Sequence, residues 1–159
     1  MKNFLSLFAI VVFVVACSSE PKSNLKPLDL LEYGIPITIM APDSAKVRTM
    51  DLVVQKDVTV KGDDDYYVQI YASGAETTDV AQVKAEQLAE VKGNRYFSKI
   101  VQEDESGFIY ETQVDSNNVN YGFRLVRIQG DQEYIFQTGL IGSFTLEKVE
   151  EMYQAVQPE

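Results

Sequence analysis

Residues 97–138 read FSKIVQEDESGFIYETQVDSNNVNYGFRLVRIQGDQEYIFQT, and their pattern decides the fold. Apolar and aromatic stretches at Phe97–Glu103, Phe108–Val114, Tyr121–Ile128 and Gln132–Thr138 alternate with short polar segments. Those segments, Asp104-Glu105-Ser106-Gly107, Asp115-Ser116-Asn117-Asn118 and Gln129-Gly130-Asp131, carry the residues that tolerate tight turns. Strands this short, joined by turns this tight, predict an antiparallel meander. Side chains alternate across a strand. That alternation predicts a core face of Phe108, Tyr110, Tyr121, Phe123, Leu125, Tyr134 and Phe136. The opposite face is read as Ile109, Glu111, Gln113, Arg124, Val126, Ile135 and Gln137. It is too apolar to stand wholly in water, and the C-terminal helix is expected to cover part of it.

That helix follows at residues 146–156, with Thr145 as N-cap and Leu146, Val149, Met152, Tyr153 and Val156 on one stripe. Upstream, Thr77–Lys92 reads as a helix. Asp79 and Gln82 fit a capping box, Val80, Val83, Leu88 and Val91 form its stripe, and Gly93-Asn94 is read as a left-handed stop. Before it lie strand-like segments at Ile35–Met40, Met50–Lys61 (one long strand or two short ones) and Tyr66–Ala72, with Gly62-Asp63-Asp64-Asp65 as a break. The fold class is therefore α+β: an antiparallel sheet of about six to seven strands, one helix between strand groups and one C-terminal helix.

Composition removes several functions. The chain has 159 residues with no histidine, one cysteine and a formal net charge of −10. Without histidine there is no serine–histidine catalysis and no imidazole-bound metal. One cysteine allows no internal disulfide and no thiolate cluster. Strong acidity argues against nucleic acid as a partner. No cofactor and no metal are expected.

The N-terminal stretch MKNFLSLFAIVVFVVACSS has a positive start, an apolar run and small residues, as a secretory signal peptide does. The run is too short for a transmembrane helix, which needs about 20 apolar residues. Val14-Val15-Ala16-Cys17 resembles the lipobox of bacterial lipoproteins. The resemblance implies cleavage after Ala16 and diacylation of Cys17, the palmitate-type anchor of an envelope lipoprotein. The expected division is a signal peptide at 1–16, a lipidated cysteine with a flexible tether at 17–29, and one α+β domain at 30–157. Loss of Lys2 leaves 13 cationic against 24 acidic side chains, a net −11. Anionic headgroups repel such a domain, so the lipid alone is expected to hold it. Position 18 is Ser, whereas Asp there is the familiar inner-membrane retention signal of Gram-negative lipoproteins. The expected location is thus the cell envelope, at the outer membrane facing the periplasm rather than at the inner membrane.

Ile35-Pro36-Ile37-Thr38-Ile39-Met40-Ala41-Pro42, the stretch Gly130–Gln137 and the ending Phe144–Tyr153 resemble the Mog1/PsbP-like fold, in particular small lipoproteins of the DcrB type. Members of that family often carry a tryptophan after the first proline, and this chain has none. The fold serves binding and assembly roles and implies no shared catalysis.

Candidate binding residues are Glu111, Arg124 and Gln137, where an arginine beside a carboxylate and an amide could orient a polar ligand or a partner. Tyr67 and Tyr71 join them, because they oppose Tyr66, Val68 and Ile70 on their strand. The acidic turns at 63–65 and 103–105 read as solvated tips. The expected function is a noncatalytic protein-binding or assembly lipoprotein. The alternative is a small-molecule- or ion-binding lipoprotein with a shallow pocket between the sheet and the last helix.

Overall fold

A computed structural model describes residues 24–63 and 65–158. The expected signal peptide, Cys17 and most of the expected tether fall outside the described residues. Nine strands and two α-helices follow one another: β1 (Leu25–Asp29), β2 (Thr38–Pro42), β3 (Lys46–Asp51), β4 (Gln55–Lys61), β5 (Tyr67–Gly74), α1 (Val80–Lys92), β6 (Phe97–Glu103), β7 (Gly107–Asp115), β8 (Asn118–Gln129), β9 (Gln132–Thr138) and α2 (Leu146–Ala155). The fold is α+β and mostly sheet. Strands β3 to β9 form one seven-stranded antiparallel sheet in the order β3-β4-β5-β9-β8-β7-β6, and β1 and β2 pair separately. Among the described residues no helix is long and apolar enough to cross a membrane.

The last strand of the chain is central. β9 joins the N-terminal strands to the meander, pairing with β5 through Ile70 and Phe136 and with β8 through Leu125 and Phe136. One face of the sheet carries Val58, Val60, Val68, Ile70, Ile109, Phe123, Leu125, Tyr134 and Phe136. Onto it pack α2, through Val149, Met152, Tyr153 and Val156, and the N-terminal hairpin, through Leu30, Ile35, Ile37, Ile39 and Ala41. The opposite face is covered in part by α1, whose Val83 meets Val126 and Ile135.

Several expectations need correction. The C-terminal helix lies on the core face, and the half-apolar face is covered by α1 instead. The alternation in β8 and β9 is as expected, but β7 has the opposite phase. Ile109 stands opposite Phe123 and Glu111 opposite Tyr121, on the core-side face, whereas Phe108 stands opposite Arg124 on the α1 side. Phe108 and Ile109 are both fully buried, so both faces are covered where the strand begins, and the more polar phase, with Glu111 and Gln113, is the one that lies on the core side. Residues 25–29, expected as the end of the tether, form β1: Leu28 pairs with Ile39 and packs against the core. Asp79 caps α1 by accepting from the Gln82 amide at 3.1 Å, but the Gln82 side chain turns to Glu86, so only half of the capping box forms. Gly93 ends α1 in a right-handed conformation, not a left-handed one. Thr145 caps α2 as expected, accepting from the Lys148 amide.

Strand directions give the sheet two distinct ends. One end carries the β3–β4 turn at residues 52–54, the β6–β7 turn and the β8–β9 turn. The other carries the β4–β5 and β7–β8 turns and the loop that leaves β9. The chain enters the fold at this second end. Leu25 pairs with Pro42, and the Pro42 ring fills the space beside Gly62, where β4 has just ended.

Candidate functional site

On the α1 side of the sheet, Gln69, Gln137 and Arg124 lie in one cross-strand row, with Gln69 opposite Gln137 and Gln137 opposite Arg124. The two amides are satisfied by each other and by Asp57. Gln137 Nε2 donates to Gln69 Oε1 at 3.3 Å, and Gln69 Nε2 donates to Asp57 Oδ2 at 2.7 Å. The Thr59 hydroxyl donates to the other Asp57 oxygen at 3.4 Å. Buried amides need such partners, because an unpaired one costs about 1–3 kcal/mol. Tyr71 stands on the same face one row away. Its hydroxyl is pushed up chiefly by burial and then by the Asp57 charge, with Arg124 and Gln137 acting the other way. Arg124 reaches toward Glu90 of α1 at 3.9 Å with its side chain only 13% exposed, and its Nε has no hydrogen-bond partner.

The sequence candidates therefore divide. Arg124, Gln137 and Tyr71 come together, while Glu111 lies on the other face. There it accepts from the Ser98 hydroxyl at 2.8 Å and pairs with Lys99 at 3.2 Å. The Ser98 bond is the main reason its carboxyl sits below the usual carboxylate range, with Lys99 adding to it. Tyr67 is at the entry end, its ring lying over Gly139 and under the Lys61 ammonium, 5.2 Å from the centroid. The chain of bonds from Asp57 through Gln69 to Gln137 is a polar seam that ties three strands together, with Arg124 in register beside it. It is not an open cleft with converging free donors.

Two features escaped the sequence reading. A groove of about 420 Å³ opens at the end of the core face between the N-terminal hairpin and the β8–β9 turn, lined in part by Gly34, Lys56, Gly130, Asp131 and Tyr134. It lies away from the expected place under the last helix. Its signal in the sequence was faint: Gly34 and Gly130 both need positive φ, at 84° and 64°, but isolated glycines mark turns far more often than sites. The other feature is a set of large apolar side chains left in water at the two ends of the sheet. Met50, Leu52, Val53 and Val54 surround the β3–β4 turn, and Val114, Val119, Leu140 and Ile141 stand at the opposite end. Val53 and Val54 read as the middle of a strand because nothing in their chemistry announces a turn.

Among the described residues no three acidic or thiol side chains converge as metal ligands would. No protein-family model matches the chain. No curated protein matches it at a significant level.

Proposed function

We propose that the chain is a noncatalytic lipoprotein of the bacterial envelope, held by lipid on Cys17, that binds another envelope protein as an assembly factor. The observation that carries the binding role is the exposed run Leu52-Val53-Val54 at the turn between β3 and β4. Large aliphatic side chains grouped in water are unfavourable unless a partner covers them. They adjoin β3, an edge strand whose outer side is unpaired in the sheet. An edge strand offers a row of backbone donors and acceptors to an incoming strand. A partner strand added to β3 would satisfy that row and bury Leu52–Val54 together. The location that fits is the outer membrane, facing the periplasm.

A second reading rests on the groove beside Gly34 and Gly130, where Lys56 and Asp131 could orient a small zwitterionic ligand. In-cell photocrosslinking separates the two. With probes at Val53, Tyr67, Glu111 and Arg124, and at Ser18 as control, the protein-binding reading expects one dominant adduct at Val53. Adducts spread evenly over all positions would refute it. A metabolite that raises the melting temperature of the native protein but not of Lys56→Ala would favour the groove.

A further inference from the structure

The lipid anchor places a geometric demand on the folded domain. Cys17 precedes Leu25, the first residue of β1, by eight positions. At about 3.3–3.6 Å per residue the connection spans less than about 30 Å. It reaches the domain at the end of the sheet that carries the β7–β8 turn and the loop after β9. At that end Leu140 is 71% exposed and Ile141 82%, and Val114 and Val119 are also in water. The two segments are tied into one surface. The Phe144 amide donates to Asn120 Oδ1 at 2.6 Å, and the Tyr121 amide donates to the Phe144 carbonyl at 3.2 Å. The loop thus runs beside the first residues of β8, where Val119 stands opposite Gln113.

We infer that this end of the sheet is a second membrane contact, with Leu140 and Ile141 seated in the interfacial layer of the bilayer that holds the Cys17 lipid. The inference rests on the lipoprotein reading. A lipid chain and a small apolar surface are additive signals for membrane residence. Apolar side chains held within a tether's length of the bilayer meet it at a high effective concentration. Acidic groups do stand beside this contact. Asp115, the acid in the adjoining turn, accepts from the Asn117 and Asn118 amides and from the Asn118 side chain. The acidic β4–β5 turn adjoins the start of the loop, where the Gly139 amide donates to the Tyr67 carbonyl at 2.8 Å. The contact is therefore with the apolar interface and not with anionic headgroups.

The chain contains no tryptophan, so single tryptophans report without background. Ile141→Trp and Val53→Trp, both at exposed positions, are made in the full lipidated protein and reconstituted into phosphatidylcholine vesicles with brominated acyl chains. The expected result is a blue-shifted emission and loss of most of the signal for Ile141→Trp, with neither for Val53→Trp. Protein that floats with the vesicles while Ile141→Trp stays unquenched would overturn the contact and leave the anchor intact. Equal quenching at both positions would overturn it too, since the domain would then have no preferred orientation. A blue shift without quenching by bromine would assign the surface to a protein instead. Protein that neither floats nor carries acyl mass on Cys17 would remove the lipoprotein reading itself.

Discussion

Replacing Gly107 with alanine should destabilise the domain through a single aromatic side chain. Gly107 opens β7 opposite Leu125. A Cβ there would sit 2.5 Å from the Tyr153 hydroxyl, 2.6 Å from the Arg124 carbonyl oxygen and 3.0 Å from the Tyr153 ring. Tyr153 cannot easily swing away. It is fully buried, its hydroxyl donates to Asp104 at 2.6 Å, and its ring meets the edge of Phe123 at 5.6 Å. The Arg124 carbonyl belongs to β8, paired on both sides. Overpacking of this kind costs about 1–3 kcal/mol, and two unyielding neighbours put Gly107→Ala near the upper end. Tyr153→Phe alone should cost about 1 kcal/mol, because the exposed Asp104 carboxylate regains water when the bond is lost. The double variant keeps the clash with the carbonyl but loses the one with the hydroxyl. It should therefore be more stable than the sum of the singles by at least about 0.5 kcal/mol. Urea unfolding of the four proteins, compared at a common slope, measures the cycle. Additivity within about 0.3 kcal/mol would mean that the Tyr153 hydroxyl does not lie over Gly107.

Alkaline pH should weaken the fold. Burial, followed by the Glu151 charge, pushes the Tyr66 hydroxyl well above the usual tyrosine range, and burial with the Asp104 bond does the same for Tyr153. A raised folded pKa gives stability that is complete below the unfolded value of about 10 and is lost as pH rises beyond it. Unfolding free energy should stay level to about pH 10 and then fall, and Tyr66→Phe should flatten the fall. Asp79→Ala should cost about 1 kcal/mol by removing the α1 cap, lowering the melting temperature by about 2–4 °C. Thr145→Ala should cost less, since its cap bond is longer, at 3.4 Å. Glu90→Gln should change stability by less than about 0.5 kcal/mol, because its 3.9 Å pair with Arg124 is exposed on the Glu90 side. Ile135→Ala, which empties the contact with α1, should cost about 2–5 kcal/mol by the same urea assay.

Strands bounded by strong turn residues were legible from the sequence to the residue: Phe97–Glu103 and Gln132–Thr138 stand as expected. The segment at 50–61 was not, because the β3–β4 turn consists of Leu52, Val53 and Val54, which favour strands. β1 was missed because Leu25–Asp29 contains Pro27 and two charges, and its pairing with β2 is a tertiary fact that no local pattern carries. For the candidate site, alternation placed Arg124 and Gln137 together correctly, since β8 and β9 have one clearly apolar phase. It misplaced Glu111 because the more polar phase of β7 is the one that lies on the core side, with Ile109 buried there and Glu111 paired to Ser98 and Lys99. Tyr67 and Tyr71 share the outward phase, yet one lies over Gly139 and the other beside the buried amides. Strand parity sets a face and says nothing of the neighbours met on it.

The central position of β9 also sets an order of events during synthesis. The pairing of Ile70 with Phe136 joins residues far apart in the chain. A chain that has emerged only as far as residue 131 holds two partial sheets, each with an open edge where β9 will lie. Non-local pairings of this kind fold slowly and leave apolar edges exposed meanwhile. Completion of the sheet is thus deferred until Gln132–Thr138 arrives, and any cut or stall before that strand leaves both halves unable to close.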